Sequence, residues 1–380
     1  MRNFICPYCM NEYSKRKILY WCPECNQEVK PSSVFSRKPF KCNNKLEDGR
    51  LCMGIATDRK CFYCGEEIEQ PMLETPNLPF SIIGVSSSGK TNYITVMLHE
   101  LGHSGLNLAV SPQNIDAKKA RDENYKRIYE EHKTPDPTPP GKLKPQIWEI
   151  KNNQRQYRNK VPTYTFTIFD GAGEDHEKKL DPTSNECNYI RASKAILLII
   201  DPLFLSKIRS GGVVNSEDMK NSLRGIEGEI KNSEDIIMSL AKYIKRIRGI
   251  KTNKKLDIPV AVVLTKFDTV ENHQVFGPLI RNKERKMSIE YQKSDINREH
   301  GKFNMGEIDE IHKEIIGWLK RIGEDQFITN LDSSFKNYCF FGVSSYGAPP
   351  TDEASTPRDI KPHRVLDPIL WLFKTFNIID

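Results

Sequence analysis

The sequence predicts an α/β fold in which a mostly parallel, doubly wound sheet is preceded by two small metal-stapled units. Three observations lead to this prediction. Residues 80–93 read FSIIGVSSSGKTNY, which is an apolar run, a glycine-bracketed loop and the start of a helix. Continuous apolar runs at residues 195–200 and 258–264 are typical of strands covered on both faces. Eight of the ten cysteines fall within the first 64 residues.

The loop at residues 84–91 matches the pattern GxxxxGK[ST], which is typical of a phosphate-binding loop. Its glycines let backbone N–H groups turn towards an anion, and the following helix adds its positive end. Lys90 is expected to reach the terminal phosphates, and the Thr91 hydroxyl is expected to ligate magnesium. A Ser/Gly loop with an incidental lysine is the alternative, but it does not explain the strand before the loop and the helix after it.

The N-terminal cysteines predict two structural zinc sites formed by consecutive groups of four. The first group has the spacing C-x2-C-x12-C-x2-C and comprises Cys6, Cys9, Cys22 and Cys25. The second group, with the looser spacing C-x9-C-x8-C-x2-C, comprises Cys42, Cys52, Cys61 and Cys64, and its residues 46–49 (LEDG) are expected to form a turn. Four thiolates close a tetrahedral site, so a catalytic zinc is disfavoured. Disulfides are the competing use of these cysteines.

Composition and chain order predict the domains. We expect zinc ribbons at residues 1–30 and 31–68, a proline-containing linker at 69–79, and a nucleotide domain at 80–380. No apolar run is long enough for a signal peptide or a membrane span, so a cytoplasmic protein with reduced thiols is expected. The net charge of +7 falls to about +3 once eight thiolates and two zinc ions are counted. Basicity alone is therefore weak evidence for nucleic-acid binding.

The predicted helix after Lys90 contains a second motif, HELGH, at residues 99–103. This HExxH pattern places two histidines on one helix face, as in zinc proteases. However, the helix already serves the phosphate loop, no third ligand is signalled by spacing, and both histidines lie opposite the apolar stripe. Partly exposed histidines on a structural helix are the favoured interpretation.

Further motifs follow in chain order, each after a predicted strand. The strand at 164–169 precedes a DxxG pattern, whose Asp170 can hold magnesium through water and whose Gly173 N–H can contact a terminal phosphate. The strand at 258–264 precedes TKFD, in which Asp268 can accept two hydrogen bonds from guanine and Lys266 can lie over the base. The strand at 338–343 precedes Ser344 and Ser345. Ligands bind at the carboxyl ends of strands in doubly wound sheets, so this order predicts one shared site.

This succession resembles the translation-factor-like (TRAFAC) branch of P-loop GTPases over about residues 78–380. The later sequence, with Trp318-Leu319, FFGVSS at 340–345 and RVLDPILWL at 364–372, looks like the bacterial double-GTPase family found in predicted conflict systems. The resemblance implies GTP and magnesium as ligands, and a partner that is itself a GTPase. The residues expected to bind the nucleotide are Gly84, Ser86, Ser87, Ser88, Gly89, Lys90, Thr91, Asn92, Gly173, Thr265, Lys266, Asp268, Ser344 and Ser345.

The same resemblance implies a catalytic set of Lys90, Thr91, Asp170, Glu174 and a first-switch threonine, for which Thr138 fits better than Thr134. Two positions depart from the family pattern. Thr265 replaces the usual Asn, which is expected to weaken the bracing of the base loop. Glu174 stands where many members carry the Gln that orients the attacking water.

These observations lead to a hypothesis of a GTP-binding switch that hydrolyses GTP slowly, with zinc ribbons that recruit a protein partner. Basic and aromatic residues among the cysteines make nucleic acid a second candidate partner. An ATPase, for which Asp268 would be incidental, and a non-hydrolysing nucleotide-dependent binding module are the alternative functions.

Overall fold

The computed structural model describes residues 3–30, 40–84, 88–136, 145–158, 160–170, 185–202, 205, 233–271, 303–348 and 355–380. A seven-stranded sheet in the order β14-β13-β12-β8-β11-β10-β9 forms its centre. The strands of this sheet are β8 (Asn77–Gly84), β9 (Leu108–Pro112), β10 (Pro145–Asn152), β11 (Thr163–Asp170), β12 (Ala195–Ile200), β13 (Val260–Leu264) and β14 (Tyr338–Gly342). Only β10 runs against its neighbours, so the predicted α/β fold with a mostly parallel sheet is confirmed.

The central strand β8 lies between β11 and β12, at the point where the strand order reverses. The chain first builds the half of the sheet that contains β9, β10 and β11, and then crosses β8 to add β12, β13 and β14. In open α/β sheets such a reversal leaves a crevice outside the carboxyl end of the central strand. The loop after Gly84 therefore begins at the position where this topology favours a ligand.

Strands β11, β12, β13 and β14 form close to the positions that the sequence analysis expected, and most of their residues are buried. Every residue of β12 and β13 is buried, as the continuous apolar runs predicted. The sheet separates two large apolar cores. Phe80 and Ile82 of β8 lie in one core, and Ile83 lies in the other.

Nine α-helices lie in the described part of the chain. They are α1 (Gln70–Glu74), α2 (Lys90–Gly102), α3 (Ile115–Tyr125), α4 (Asn185–Ala192), α5 (Ser233–Ile247), α6 (Phe267–Glu271), α7 (Met305–Arg321), α8 (Asp325–Ser334) and α9 (Asp367–Thr375). Helix α2 buries Ile94, Met97, Leu98 and Leu101, among others, and ends at Gly102. Helix α3 continues into a π-helical turn at Lys126–Glu130. No helix in these described ranges is both long and apolar enough to cross a membrane.

The N-terminal residues form a separate small unit, the zinc module (residues 3–30 and 40–68). It contains the strands β1 (Phe4–Ile5), β2 (Glu12–Tyr13), β3 (Leu19–Cys22), β4 (Gln27–Glu28), β5 (Phe40–Lys41), β6 (Ile55–Ala56) and β7 (Asp58–Lys60). A turn at Leu46 to Gly49 joins the bridged residues Lys45 and Leu51, as the LEDG sequence predicted. Strand β3 pairs with β7, which connects the beginning of the module to its end.

The zinc module packs directly on the domain that contains the seven-stranded sheet. Its buried core includes Met72 and Leu73 of α1 and the fully buried Ile147 of β10. Asn77 at the start of β8 donates a hydrogen bond to the carbonyl of Ile5 at 3.2 Å. The predicted linker at 69–79 contains α1 and the first three residues of β8. Apolar side chains at positions 72 and 73 complete the module's core.

Helix α7 covers the edge strand β14, and a contact between them predicts that the stability of the fold depends on pH. The N–H of Phe340 donates to Nδ1 of His312 at 3.0 Å, which requires a neutral imidazole. Burial lowers the pKa of His312, and the nearby charges of Asp309 and Lys313 oppose each other. The folded state therefore resists protonation more than the unfolded state does. We expect the free energy of unfolding to decrease as the pH falls below about 6.5, by at most ~1.4 kcal/mol per pH unit.

The test is urea unfolding between pH 5 and about 7.5, compared for the parent, His312→Gln and the control His103→Gln at an exposed position. The pH-dependent part of the unfolding free energy should be smaller in His312→Gln and unchanged in the control. Identical pH profiles for all three proteins would contradict the assignment.

Candidate functional site

The phosphate-loop pattern lies at the carboxyl end of β8, where α2 begins. Gly89 has a left-handed φ of 78° at the N-cap of α2, a conformation that glycine adopts at no steric cost. Lys90 is buried, and its ammonium donates to the carbonyl of Gly84 at 3.0 Å. Gly84 cannot be replaced without rearrangement, because a Cβ there would lie 2.5 Å from the carbonyl oxygen of Ile199. The structure therefore joins both ends of the predicted loop; Ser86 and Ser87 lie outside the described residues.

Ser88 has a side chain suited to an anion. Its hydroxyl is fully buried, and among the described residues it has no hydrogen-bond partner. A buried hydroxyl without a partner is unfavourable, so a ligand oxygen at this loop would satisfy it. Thr91 and Asn92 are half-buried in the first turn of α2, where the positive end of the helix adds to the attraction for an anion.

Thr265 connects the TKFD segment to the phosphate loop. Its hydroxyl donates to the carbonyl of Ser88 at 2.7 Å and is also 3.3 Å from the carbonyl of Ile200. Thr265 was expected to brace this region less well than the usual Asn, and the structure shows that its hydroxyl still bonds to the backbone of Ser88. The side chain of Thr265 is buried, and it follows β13, which pairs with β12, the strand next to β8.

Lys266 lies over the phosphate loop and is held by a carboxylate that the sequence analysis did not assign to the site. Its Nζ is 2.8 Å from Oδ2 of Asp201, a residue with no exposed surface at the end of β12. The Cε of Lys266 lies 3.9 Å from the position that a Cβ on Gly89 would occupy. A sequence signal for Asp201 exists, because a single acidic residue follows the buried run AILLII. Only the adjacency of β12 and β13 shows that this carboxylate faces Lys266.

Asp268 is the candidate base-binding carboxylate. It is 8% exposed. Burial raises its pKa, whereas a hydrogen bond with Ser344 and the charge of Lys266 oppose that rise. Burial disfavours the charged form of a carboxylate, and a pair of N–H groups from a ligand would stabilise that form.

The Ser344-Ser345 segment lies next to Asp268, as its place after the last strand predicted. The N–H of Phe267 donates to the carbonyl of Val343 at 3.0 Å, and the N–H of Val343 donates to Leu264 at 2.8 Å. Gly342 is required here, because a Cβ would meet the ring of Phe267 at 2.6 Å. Ser344 is buried and Ser345 is half-buried.

Several predicted catalytic residues cannot be placed at side-chain level. Asp170 ends β11, and its backbone lies opposite Ile82 of β8, two residues before Gly84. Its side chain, Thr138, Gly173 and Glu174 all lie outside the described residues. The magnesium assignment and the catalytic roles of these residues therefore remain predictions.

The cysteines form two groups of four, but not the groups that the sequence predicted. Cys6 and Cys9 join Cys61 and Cys64, in a group called site A here. Cys22 and Cys25 join Cys42 and Cys52, called site B. The prediction of consecutive groups is wrong because β3 pairs with β7 and brings the last knuckle back to the first. In the sequence, the four cysteines of site B lie between the two cysteine pairs of site A.

The sulfur positions fit zinc and do not fit disulfides. Sulfur atoms of Cys6 and Cys64 are 3.9 Å apart, and those of Cys9 and Cys61 are 3.8 Å apart. In site B the Cys22–Cys52 and Cys25–Cys42 separations are 3.8 Å and 3.6 Å. A tetrahedral zinc with Zn–S bonds of about 2.3 Å requires S···S separations of about 3.8 Å. All eight of these cysteines are free, so the disulfide alternative is disfavoured.

Surrounding groups support thiolate ligands. The Tyr13 hydroxyl donates to Cys61 Sγ at 3.1 Å, and the amide of Asn11 donates to Cys9 Sγ at 3.3 Å. Such donors orient metal ligands and stabilise their negative charge. The residues directly after Cys9, Cys25 and Cys64 all have left-handed backbones, with φ values between 51° and 72°. These three C-x2-C segments therefore share one local conformation.

Among the described residues, His99, Glu100 and His103 do not belong to a group with metal-ligand geometry. His103 Nδ1 is 2.8 Å from the carbonyl of His99, and the ring of His99 packs against Tyr125 and Tyr129. In the described part of the chain, the two cysteine groups are the clusters with metal-ligand geometry. The interpretation as partly exposed histidines on a structural helix agrees with these contacts.

The chain matches no family model and no curated protein. Among solved structures, it is similar to the GTPase-like domain of Ski7 from S. cerevisiae, bound to GDP and inorganic phosphate, with 13% identity, a TM-score of 0.33 and coverage of 80% of this chain and 50% of that chain. The GTP-bound Ski7 domain gives 13% identity, a TM-score of 0.34 and coverage of 82% and 53%. Sup35 complexed with GDP has 12% identity and a TM-score of 0.24, with coverage of 77% of this chain and 44% of that chain.

This chain thus spans about half the length of the solved structures it matches. With TM-scores this low, the fold assignment depends on the chain's own strand order, and the function on the chemistry of its site.

Proposed function

We propose that this protein is a GTP-binding switch that hydrolyses GTP slowly, with magnesium at the phosphates and a zinc ion in each cysteine site. The observation that carries the proposal is the connection of Asp268 to the phosphate loop through Thr265 and Lys266. Thr265 bonds to Ser88, and Lys266 lies over Gly89. A carboxylate for a base and a loop for phosphates are thus held at one edge of the sheet.

Each residue has a role that its position supports. Gly84, Ser88, Gly89 and Lys90 would contact the phosphates, and Thr91 would hold magnesium with Asp170 in its second shell. Asp268 would accept the N1–H and 2-amino hydrogens of guanine. Adenine offers an acceptor at N1, which would face the oxygens of this buried carboxylate where guanine presents a donor. This difference favours GTP over the ATPase alternative.

The zinc module is proposed to recruit a partner. Five large apolar residues in its second half are exposed, namely Leu51, Met53, Ile55, Phe62 and Tyr63. Such a concentration on one small unit favours a protein partner, and a second GTPase is the partner that the family resemblance implies. Lys17 and Lys60 lie over the rings of Phe62 and Trp21, which keeps nucleic acid as the second candidate. A role in bacterial defence rests on the same resemblance alone.

The test is nucleotide content and turnover of the purified full chain. We expect copurified GDP or GTP, a turnover rate on the order of 10⁻⁴ to 10⁻³ per second, and loss of bound nucleotide in Lys90→Ala. Glu174→Ala should lower the rate further only if Glu174 orients water. Equal binding of ATP and GTP would favour an ATPase, and GTP binding without any turnover would favour the non-hydrolysing module. If the parent hydrolysed GTP at several per second and Glu174→Ala had the same rate, both the slow switch and the role of Glu174 would be overturned.

A further inference from the structure

A buried charge cluster lies close to the base loop (the TKFD segment, residues 265–268). It does not form part of the proposed nucleotide contacts. Arg364 is 3% exposed and donates through Nε to Asp367 at 2.5 Å and through Nη2 to Glu307 at 2.7 Å. Glu307 belongs to α7 and Asp367 begins α9, so the arginine joins two helices. Its φ of 52° is left-handed, which is uncommon for a residue with a long side chain.

The residue before Arg364 is paired with Ser344, which is hydrogen-bonded to Asp268 of the TKFD segment. His363 and Ser344 exchange two backbone hydrogen bonds, of 3.0 Å and 2.8 Å. The N–H of Lys361 donates to the carbonyl of Tyr346 at 3.0 Å, so residues 344–346 and 361–363 form a short ladder. The approach is close, since a Cβ on Gly347 would lie 2.1 Å from the carbonyl oxygen of Lys361.

The ladder ends at the hydrogen bond that holds Asp268. Ser344 accepts the N–H of Gly347 at 2.8 Å and makes a side-chain hydrogen bond with Asp268. The connection therefore runs from Arg364 through the backbone of His363 to Ser344 and then to the carboxylate. Each step is a hydrogen bond or a covalent neighbour.

A buried ion pair is weak evidence for stability, because apolar side chains of similar volume often stabilise a fold as well or better. A strained backbone held by such a pair is better evidence for a functional role. Strain persists only where the surrounding structure fixes one conformation, and it is found mostly at functional sites. We infer that Arg364 is a positioning residue that sets the orientation of the base carboxylate Asp268. This inference rests on the proposed function, since it assumes that Asp268 binds guanine.

The first measurement is hydrogen exchange in nucleotide-free protein, which does not depend on the proposed function. Arg364→Met should accelerate exchange of the Ser344 and Phe267 amides. The matched control is Arg155→Met, since Arg155 also ties the C-terminal segment through Asp380, away from the base loop. If Arg364→Met does not fold, Glu307→Gln removes one partner of the arginine and keeps the other. Unchanged exchange of both amides would overturn the inference.

The second measurement is the affinity for GDP, for ADP and for inorganic tripolyphosphate, which reports the phosphate contacts alone. Arg364→Met should weaken GDP binding roughly tenfold, which lies within the range of interaction energies for residues in one hydrogen-bond network. The affinities for ADP and for tripolyphosphate should be unchanged. Equal weakening of all three ligands would indicate a general structural role and contradict the inference. A parent protein without preference for GDP would refute the proposed function, and the exchange measurement would then decide about Arg364 alone.

Discussion

Asp268→Asn should transfer the base preference of this protein from guanine to xanthine. In the parent, the carboxylate is expected to accept two hydrogens from guanine, at a site where it is only 8% exposed. An asparagine side chain offers one acceptor and one donor, which complements the N1–H and the 2-oxo group of xanthine. Sites built around such hydrogen bonds reject a mismatched ligand by about 10⁴ or more.

The measurement is competition of GDP, XDP and ADP for the parent and the variant. Asp257→Asn provides a matched control, because Asp257 lies shortly before β13 and its side chain is 82% exposed. The control should keep the parent's preference for GDP. A parent that binds GDP and ADP equally, or a variant that still prefers GDP, would show that Asp268 does not read the base.

Pairs of cysteine substitutions should remove either one zinc or both, according to which site they touch. Cys9→Ser with Cys61→Ser alters only site A, so one zinc per chain should remain in site B. Cys9→Ser with Cys25→Ser alters both sites, so no fully liganded zinc site should remain. Structural zinc in small peptides contributes roughly 10–16 kcal/mol, more than the core of a segment this short supplies, so the module should unfold in the second variant.

Elemental analysis of protein purified without chelator measures the difference. The parent and Cys339→Ser should each carry two zinc ions, because Cys339 lies in β14 and outside both groups. If Cys9→Ser with Cys25→Ser kept one zinc, the consecutive grouping would be right and the grouping seen here would be wrong. Fewer than two zinc ions in the parent would refute at least one site.

The prediction of the fold from the sequence succeeded where the signals were local and repeated. The runs AILLII and IPVAVVL are short and rich in β-branched residues, which favours buried strands over buried helices. Strand ends were less well predicted. Asn77 to Pro79 were assigned to a linker, yet they extend β8, because the zinc module and β11 pack against them.

The candidate nucleotide site was predicted in part. The phosphate loop, TKFD and the two serines were found because each is a short motif at a strand end. Asp201 was missed, since its importance depends on a neighbouring strand that is 65 residues away in the sequence. Arg364 was noted only as part of a family pattern, because its link to Ser344 requires a ladder between distant segments. The switch residues beyond Asp170 and before Pro145 stay predictions.

By itself the sequence determined the α/β class, the position of the loop that is expected to hold phosphate, and the presence of two four-cysteine sites. These features depend on periodicity and on motifs whose residues are neighbours in the chain. Only the tertiary structure decided which cysteines share a site, that Thr265 braces Ser88, and that Asp201 holds Lys266. Three C-x2-C segments of equal spacing do not specify which cysteines share a metal. The pairing of β3 with β7 decides this, because it brings Cys61 and Cys64 next to Cys6 and Cys9 and leaves Cys22, Cys25, Cys42 and Cys52 as the second site.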